Sequence, residues 1–125
     1  MSFALPVLRM PTPRATLTVL DGPNAGQVFA LDRSAQTIGR AADAGVWLFD
    51  PDVSRHHARI DIDDDGTFFI EDLGSKNGIY VGGRRVRRRA LRSGDRVCVG
   101  PNVSLRFEEP DLAAFDALGE APTQA

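Results

Sequence analysis

Cysteine and lysine are almost missing from this chain: Cys98 and Lys76 are the only ones. A single cysteine excludes an internal disulfide framework and suits a reducing compartment. In "RVCVG" it alternates with Val97 and Val99, which predicts an inert strand thiol rather than a nucleophile. No apolar run approaches the ~20 residues of a membrane-crossing helix. The opening "MSFALPVLRMP" has no basic residue ahead of its short apolar stretch, and Pro6 interrupts that stretch. It makes a poor signal peptide, so a cytoplasmic protein with no membrane partner is expected. Strong charge of one sign is missing too. The net charge of −2 argues against a general polyanion binder and leaves local patches open. Helical periodicity is scarce, and neither an internal repeat nor a low-complexity tract is found.

What is there is ordinary globular material. At 125 residues, 42% hydrophobic and 26% charged, the chain suffices for one domain with its own core. Short alternating segments follow one another, separated by glycine-rich turns. They are "ATLTVL" (15–20), "QVFAL" (27–31), "QTIG" (36–39), "VWLF" (46–49), "ARIDI" (58–62) and "TFFIEDL" (67–73). "GIYV" (78–81), "RRV" (84–86), "DRVCVG" (95–100) and "VSLRFEE" (103–109) complete the series. Many short strands at even spacing predict an all-β fold, an antiparallel sandwich or barrel. The alternation places Trp47 and Phe69 inward. Residues 1–13, with three prolines, read as a flexible leader. Residues 110–125 read as a tail or linker, with one weak helix drawn through Leu112, Phe115 and Leu118. The domain proper is expected over 14–109.

Three loops at strand ends carry a dense set of polar side chains: "TIGR" (37–40), "SRHH" (54–57) and "DLGSKNG" (72–78). They deliver Arg40, Ser54, Arg55, Ser75, Lys76 and Asn77. Arginine offers a planar fork of N–H donors, serine a hydroxyl, lysine a point charge and asparagine an amide. Together they suit an anion with several oxygens. Phosphothreonine, with a charge of roughly −1.5 to −2 and three acceptor oxygens, is such an anion.

In order and spacing, "GR" at 39–40, "SRHH" at 54–57 and "SKNG" at 75–78 resemble the forkhead-associated (FHA) domain. Its motifs run Gly-Arg, Ser-x-x-His and Ser-x-Asn-Gly. "DLGS", "YVGG" and "LRSGDRVCVG" accompany them, so the resemblance covers about residues 15–108. It implies an antiparallel β-sandwich of about eleven strands and a non-catalytic module that binds phosphothreonine peptides. It also implies no cofactor and a partner in Ser/Thr kinase signalling, either a kinase substrate or the kinase. By resemblance, Arg40 and Ser54 hold the phosphate, and Arg55 adds a phosphate or peptide contact. Asn77 bonds the peptide backbone with Ser75 beside it, and His57 braces the loops together with Gly39 and Gly78. Lys76 and Ile79 depart from the family's frequent threonines. Lys76 either adds a third cation to the pocket or points into water.

Other chemistries fit less well. His56 and His57 are adjacent, so their side chains diverge, and a zinc site would need further ligands. No G-x-S-x-G elbow supports a hydrolase built on Ser54 and His57. "DIDDDG" (61–66) matches the opening of a calcium loop, but the twelfth position is Asp72 and the flanks read as strands, so a hairpin turn is expected. The run "RRVRRRALR" (84–92) brings Arg84, Arg85, Arg87, Arg88, Arg89 and Arg92 together. A solvated strand edge is expected there. The alternative is a scaffold with a silent phosphate pocket that engages an acidic or nucleic-acid partner through this run. No aromatic interleaves the arginines for base stacking, which disfavours nucleic acid. Thr12 and Thr123, in the two flanks, are candidates for an intramolecular phospho-ligand.

Overall fold

The computed structural model describes residues 15–31 and 35–109. The leader, Thr12, Thr123 and the helix drawn around Phe115 lie outside them. Eleven strands make two sheets: β1 (Ala15–Asp21), β2 (Val28–Leu31), β3 (Ala35–Gly39), β4 (Val46–Trp47), β5 (Ala58–Ile62), β6 (Phe68–Asp72), β7 (Ile79–Val81), β8 (Arg84–Val86), β9 (Arg88–Ala90), β10 (Arg96–Val99) and β11 (Ser104–Glu108). One sheet has the order β2-β1-β11-β10-β7-β8, the other β4-β3-β5-β6-β9. Every pairing is antiparallel except the short parallel contact of β3 with β4. The expected β-sandwich is the architecture found.

Period-two alternation explains the layering. Ala15, Leu17 and Val19 of β1 point inward, as do Ile60 of β5, Ile70 of β6, Val97 and Val99 of β10, and Leu105 and Phe107 of β11. Phe68 meets Phe107 across the sandwich with ring centroids 5.3 Å apart. Two sequence expectations fail here. Trp47 is 39% exposed, because its neighbour Val46 takes the inward position on a two-residue edge strand. Phe69 is only half-buried, since Phe68 and Ile70 occupy the inward face of β6. Its ring instead carries the Arg88 guanidinium 4.1 Å above the centroid.

The strand expected over 46–49 stops at Trp47, where the chain turns through Asp50 and Pro51. Strand β9, "RRA", was not expected: it lacks β-formers and is drafted by pairing with β6. The arginine run therefore forms both β8 and β9, each the outermost strand of its sheet. Charged residues on an exposed edge deter pairing with another chain. Over 63–66 the turn is self-contained, with the Asp63 Oδ1 accepting the N–H groups of Asp65 and Thr67, both at 2.9 Å.

Registers place the loops. Ile38 opposes Ala58 and Ala58 opposes Asp72, so β3 ends, β5 begins and β6 ends at one end of the sandwich. Ile79 opposes Val99 at that same end, and Thr16 opposes Glu108 at the other.

Candidate functional site

Gly39 closes β3 and lets two loops meet. A Cβ there would sit 2.0 Å from the Arg55 carbonyl oxygen, so no larger residue fits without moving the chain. In the space kept open, the N–H groups of Arg40 and Ala41 donate to the carbonyls of Ser54 and Arg55, both at 3.1 Å. Arg40 also donates its Nε–H to the Val53 carbonyl at 2.9 Å. This fixes the side chain and leaves its two terminal nitrogens with no acceptor among the described residues. Trp47, outward on β4, donates its indole N–H to the Arg40 carbonyl at 3.0 Å. The outward placement is thus explained, since the indole holds the backbone that carries the arginine.

The Ser54 and Lys76 loops are joined directly. The Ser54 Oγ accepts the Lys76 N–H at 3.1 Å, so the hydroxyl proton stays available to a ligand. Asn77 donates from Nδ2 to the Asp52 carbonyl at 2.8 Å. Ser75 turns inward to its own loop, its Oγ accepting the Gly78 N–H at 2.8 Å while its N–H donates to Asp72 Oδ1 at 2.8 Å. Both bonds tie Ser75 to its own loop. Gly78 has φ +78°, a left-handed backbone that favours glycine.

His57 sits under all of this, fully buried. The Ser54 N–H donates to its Nδ1 at 3.0 Å, and its Nε2–H donates to the Gly78 carbonyl at 2.8 Å. Its backbone continues the tie, donating to Ile38 at 2.9 Å and accepting from Leu73 at 3.0 Å. One neutral imidazole thus links all three loops. Burial pushes its pKa below the ordinary histidine value, opposed by the Gly78 carbonyl and the Asp72 charge. His56 points away, 3.6 Å from the exposed Asp43.

Arg40, Arg55 and Lys76 have no carboxylate within 4 Å among the described residues. All three are exposed, and Ser54 and Asn77 half-exposed. Three cations, a free hydroxyl and an amide thus stand on loops whose remaining hydrogen bonds already hold them in place.

Sequence reasoning missed Asp50 and Asp52. Asp50 is buried, accepting the Asp52 N–H at its Oδ1, 2.8 Å away, and the Val53 N–H at its carbonyl, 3.0 Å. Asp52 in turn accepts from Asn102 Nδ2 at 2.9 Å. The signal was present as "DPD" ahead of Ser54, since aspartate commonly closes turns on its own backbone.

The fold is thus a β-sandwich whose loops at one end hold oxygen-binding donors without carboxylate partners among the described residues, an arrangement suited to an anion. The FHA domain family model matches residues 36–100. The "Oxoglutarate dehydrogenase inhibitor" of Corynebacterium efficiens is 40% identical over 91 residues, 73% of this chain and 63% of that protein. The "Glycogen accumulation regulator GarA" of Mycolicibacterium smegmatis is 41% identical over 91 residues, 73% of this chain and 57% of that protein. The chain thus spans roughly three-fifths of these relatives. Among solved structures, one described as "Structural and functional analysis of phosphothreonine-dependent FHA domain interactions" has a TM-score of 0.68 and 32% identity, covering 75% of this chain and 94% of that one. Mycobacterium tuberculosis EmbR, solved with a low-affinity phosphopeptide, has a TM-score of 0.67 and 32% identity, covering 78% of this chain and 24% of that one. The chain belongs to the FHA domain family.

Proposed function

We propose that the protein is a phosphothreonine-dependent interaction module of Ser/Thr kinase signalling, without catalysis of its own. The observation that carries this is the trio of cations without carboxylate partners, gathered at one end by loops that satisfy each other's backbone groups. Arg40 offers its fork to two phosphate oxygens, and Ser54 donates its hydroxyl to one of them. Arg55 and Lys76 add charge. Asn77, anchored through Nδ2, presents its Oδ1 to a peptide N–H and sets the register. Ser75 contributes by shaping that loop, and Gly39, His57 and Gly78 keep the loops in contact. A dianion must shed water to bind, and only charge-assisted, pre-aimed donors compensate for that loss.

The relatives' names, an inhibitor and a regulator, support a regulatory role. In this reading residues 14–109 are the working domain, flanked by a leader and a tail. The partner is a phosphorylated kinase substrate or the kinase itself, met in the cytoplasm, where a lone thiol stays reduced. Calorimetric titration with one peptide in threonine and phosphothreonine forms tests the reading. The phosphopeptide is expected to bind at micromolar Kd or better and the plain peptide not measurably. Equal binding of the two overturns it.

A further inference from the structure

The arginine run does more than blunt two edges. The chain leaves one sheet at Val86 and enters the other at Arg88, so Arg87 is the single residue of the crossover. Its carbonyl accepts the Asp72 N–H at 2.8 Å, which pins the crossover beside the loop 73–78, at the same end as Arg40 and Ser54. In this corner lies an open groove of about 530 Å³, lined by Asp72, Gly74, Ser75, Arg85, Val86 and Arg87. Ser75 belongs both to the groove and to the loop of the proposed phosphate site.

The groove carries two guanidinium groups against one carboxylate. Neither Arg85 nor Arg87 makes a side-chain hydrogen bond or ion pair among the described residues. Asp72 turns its Oδ1 to the Ser75 N–H. The Arg85 side chain lies flat on Gly78, close enough that a Cβ at Gly78 would meet its Nε at 2.6 Å. Of the other arginines of the run, Arg88 faces Asp61 at 3.9 Å and covers Phe69, and Arg89 reaches the Val81 carbonyl at 3.5 Å, while Arg84 and Arg92 do not line the groove. Two arginines without side-chain partners among the described residues thus line one hollow that shares Ser75 with the loop of the proposed phosphate site.

We infer that this groove takes a second negatively charged side chain of the same ligand, a carboxylate or a second phosphate, a few residues from the phosphothreonine. The inference rests on the function proposed above. An extended peptide advances ~3.3 Å per residue, so a charge about two to four residues away crosses the loop. The domain then reads a pair of charges, and a singly phosphorylated neutral peptide is its weaker ligand.

The test compares peptides by calorimetry near physiological salt: one phosphothreonine in a neutral sequence, and the same peptide with glutamate or a second phosphothreonine about two to four residues to either side. The Kd ratio of the singly and doubly charged peptides is taken within each protein, so a general loss of affinity cancels. The unaltered protein is expected to gain about tenfold, ~1.4 kcal/mol, at one spacing and on one side. The double variant Arg85→Gln/Arg87→Gln, its fold checked by circular dichroism, is expected to lose that gain. Arg92→Gln, at the far end of the run, is expected to keep it. Comparing glutamate with phosphothreonine tells which anion the groove prefers. A neutral phosphopeptide that binds as well as every doubly charged one overturns the second position alone, as does a gain that survives the double variant. No binding of any phosphopeptide overturns the proposed function and this inference with it.

Discussion

At the scale of single residues, Arg40 and His57 make different demands on a substitution. Arg40 has its Nε committed to Val53 and its fork free, so Arg40→Lys should be nearly as harmful as Arg40→Ala: a point charge replaces two parallel donors. Removing one partner of a desolvated charge pair costs ~2–5 kcal/mol, which weakens a micromolar ligand by about thirtyfold to a few thousandfold. Ser54→Ala deletes one hydroxyl donor and frees the Lys76 N–H, for a milder loss of ~0.5–3 kcal/mol. Both should melt near the unaltered protein. His57→Ala should lower the melting temperature as well as affinity, because it strands the Ser54 N–H and the Gly78 carbonyl, each worth ~1–3 kcal/mol when buried and unpaired. Thermal melts alongside titrations separate these cases. The depressed pKa of His57 also sets a direction with pH. Its contribution to stability is complete above the ordinary value of 6.5 and is lost as pH falls below it, because the unfolded chain takes up a proton that the folded one resists. Denaturation midpoints measured from about pH 7.5 to 5.5 should fall, and His57→Ala should flatten that part of the slope.

At the scale of elements, Gly39 and the two edge strands carry the expectations. Gly39→Ala forces β3 away from the Arg55 backbone, with an overpacking cost of at least ~1–3 kcal/mol. Chemical denaturation should show that loss together with weakened phosphopeptide binding. Replacing Arg84, Arg85 and Arg88 with valine should leave two bare edges, and light scattering should report association that the native arginines prevent. These elements also show how much was legible beforehand. Strands β5 and β8 were readable to the residue because alternation is clean in "ARIDI" and the pair Gly82-Gly83 marks the start of "RRV". Strand β9 was not, because "RRA" becomes a strand only through its neighbour β6. Trp47 was misplaced because alternation gives a period and not a phase, and Val46 took the inward position. The loops of the candidate site were legible as "GR", "SRHH" and "SKNG", which the structure brings to one end of the sandwich. What those motifs could not tell is which polar atoms are already spent: Ser75 Oγ on Gly78, Asn77 Nδ2 on Asp52 and Trp47 Nε1 on Arg40.

At the scale of the whole molecule, the registers put the proposed anion site at one end and Ala15 and Glu108 at the other. Seven residues of β1 span ~20 Å. The three peptide steps from Thr12 to Ala15 span at most ~10 Å, so a phosphate on Thr12 cannot reach the proposed pocket of its own chain. Thr123, with 14 residues beyond Glu109, has the reach. Phosphorylation at Thr123 should therefore weaken an outside phosphopeptide independently of protein concentration. Phosphorylation at Thr12 can compete only between molecules and should be relieved by dilution. Fluorescence anisotropy over a dilution series tells the two apart, and unchanged affinity after both modifications removes self-binding altogether.

The same registers bear on how the molecule comes into being. Strand β11 lies between β1 and β10, so among the described residues the β1–β2 hairpin is joined to the rest of its sheet only by the last strand. Until Ser104–Glu108 leaves the ribosome, β1 and β2 are a lone hairpin, and such a pair is marginal in water. Closure then waits on a contact between segments more than eighty residues apart in sequence, the kind that slows folding to milliseconds or seconds. A nascent chain halted before Ser104 should remain open to protease. One released a few residues past Glu108 should become resistant in a single step, and capable of reading phosphate only from that moment.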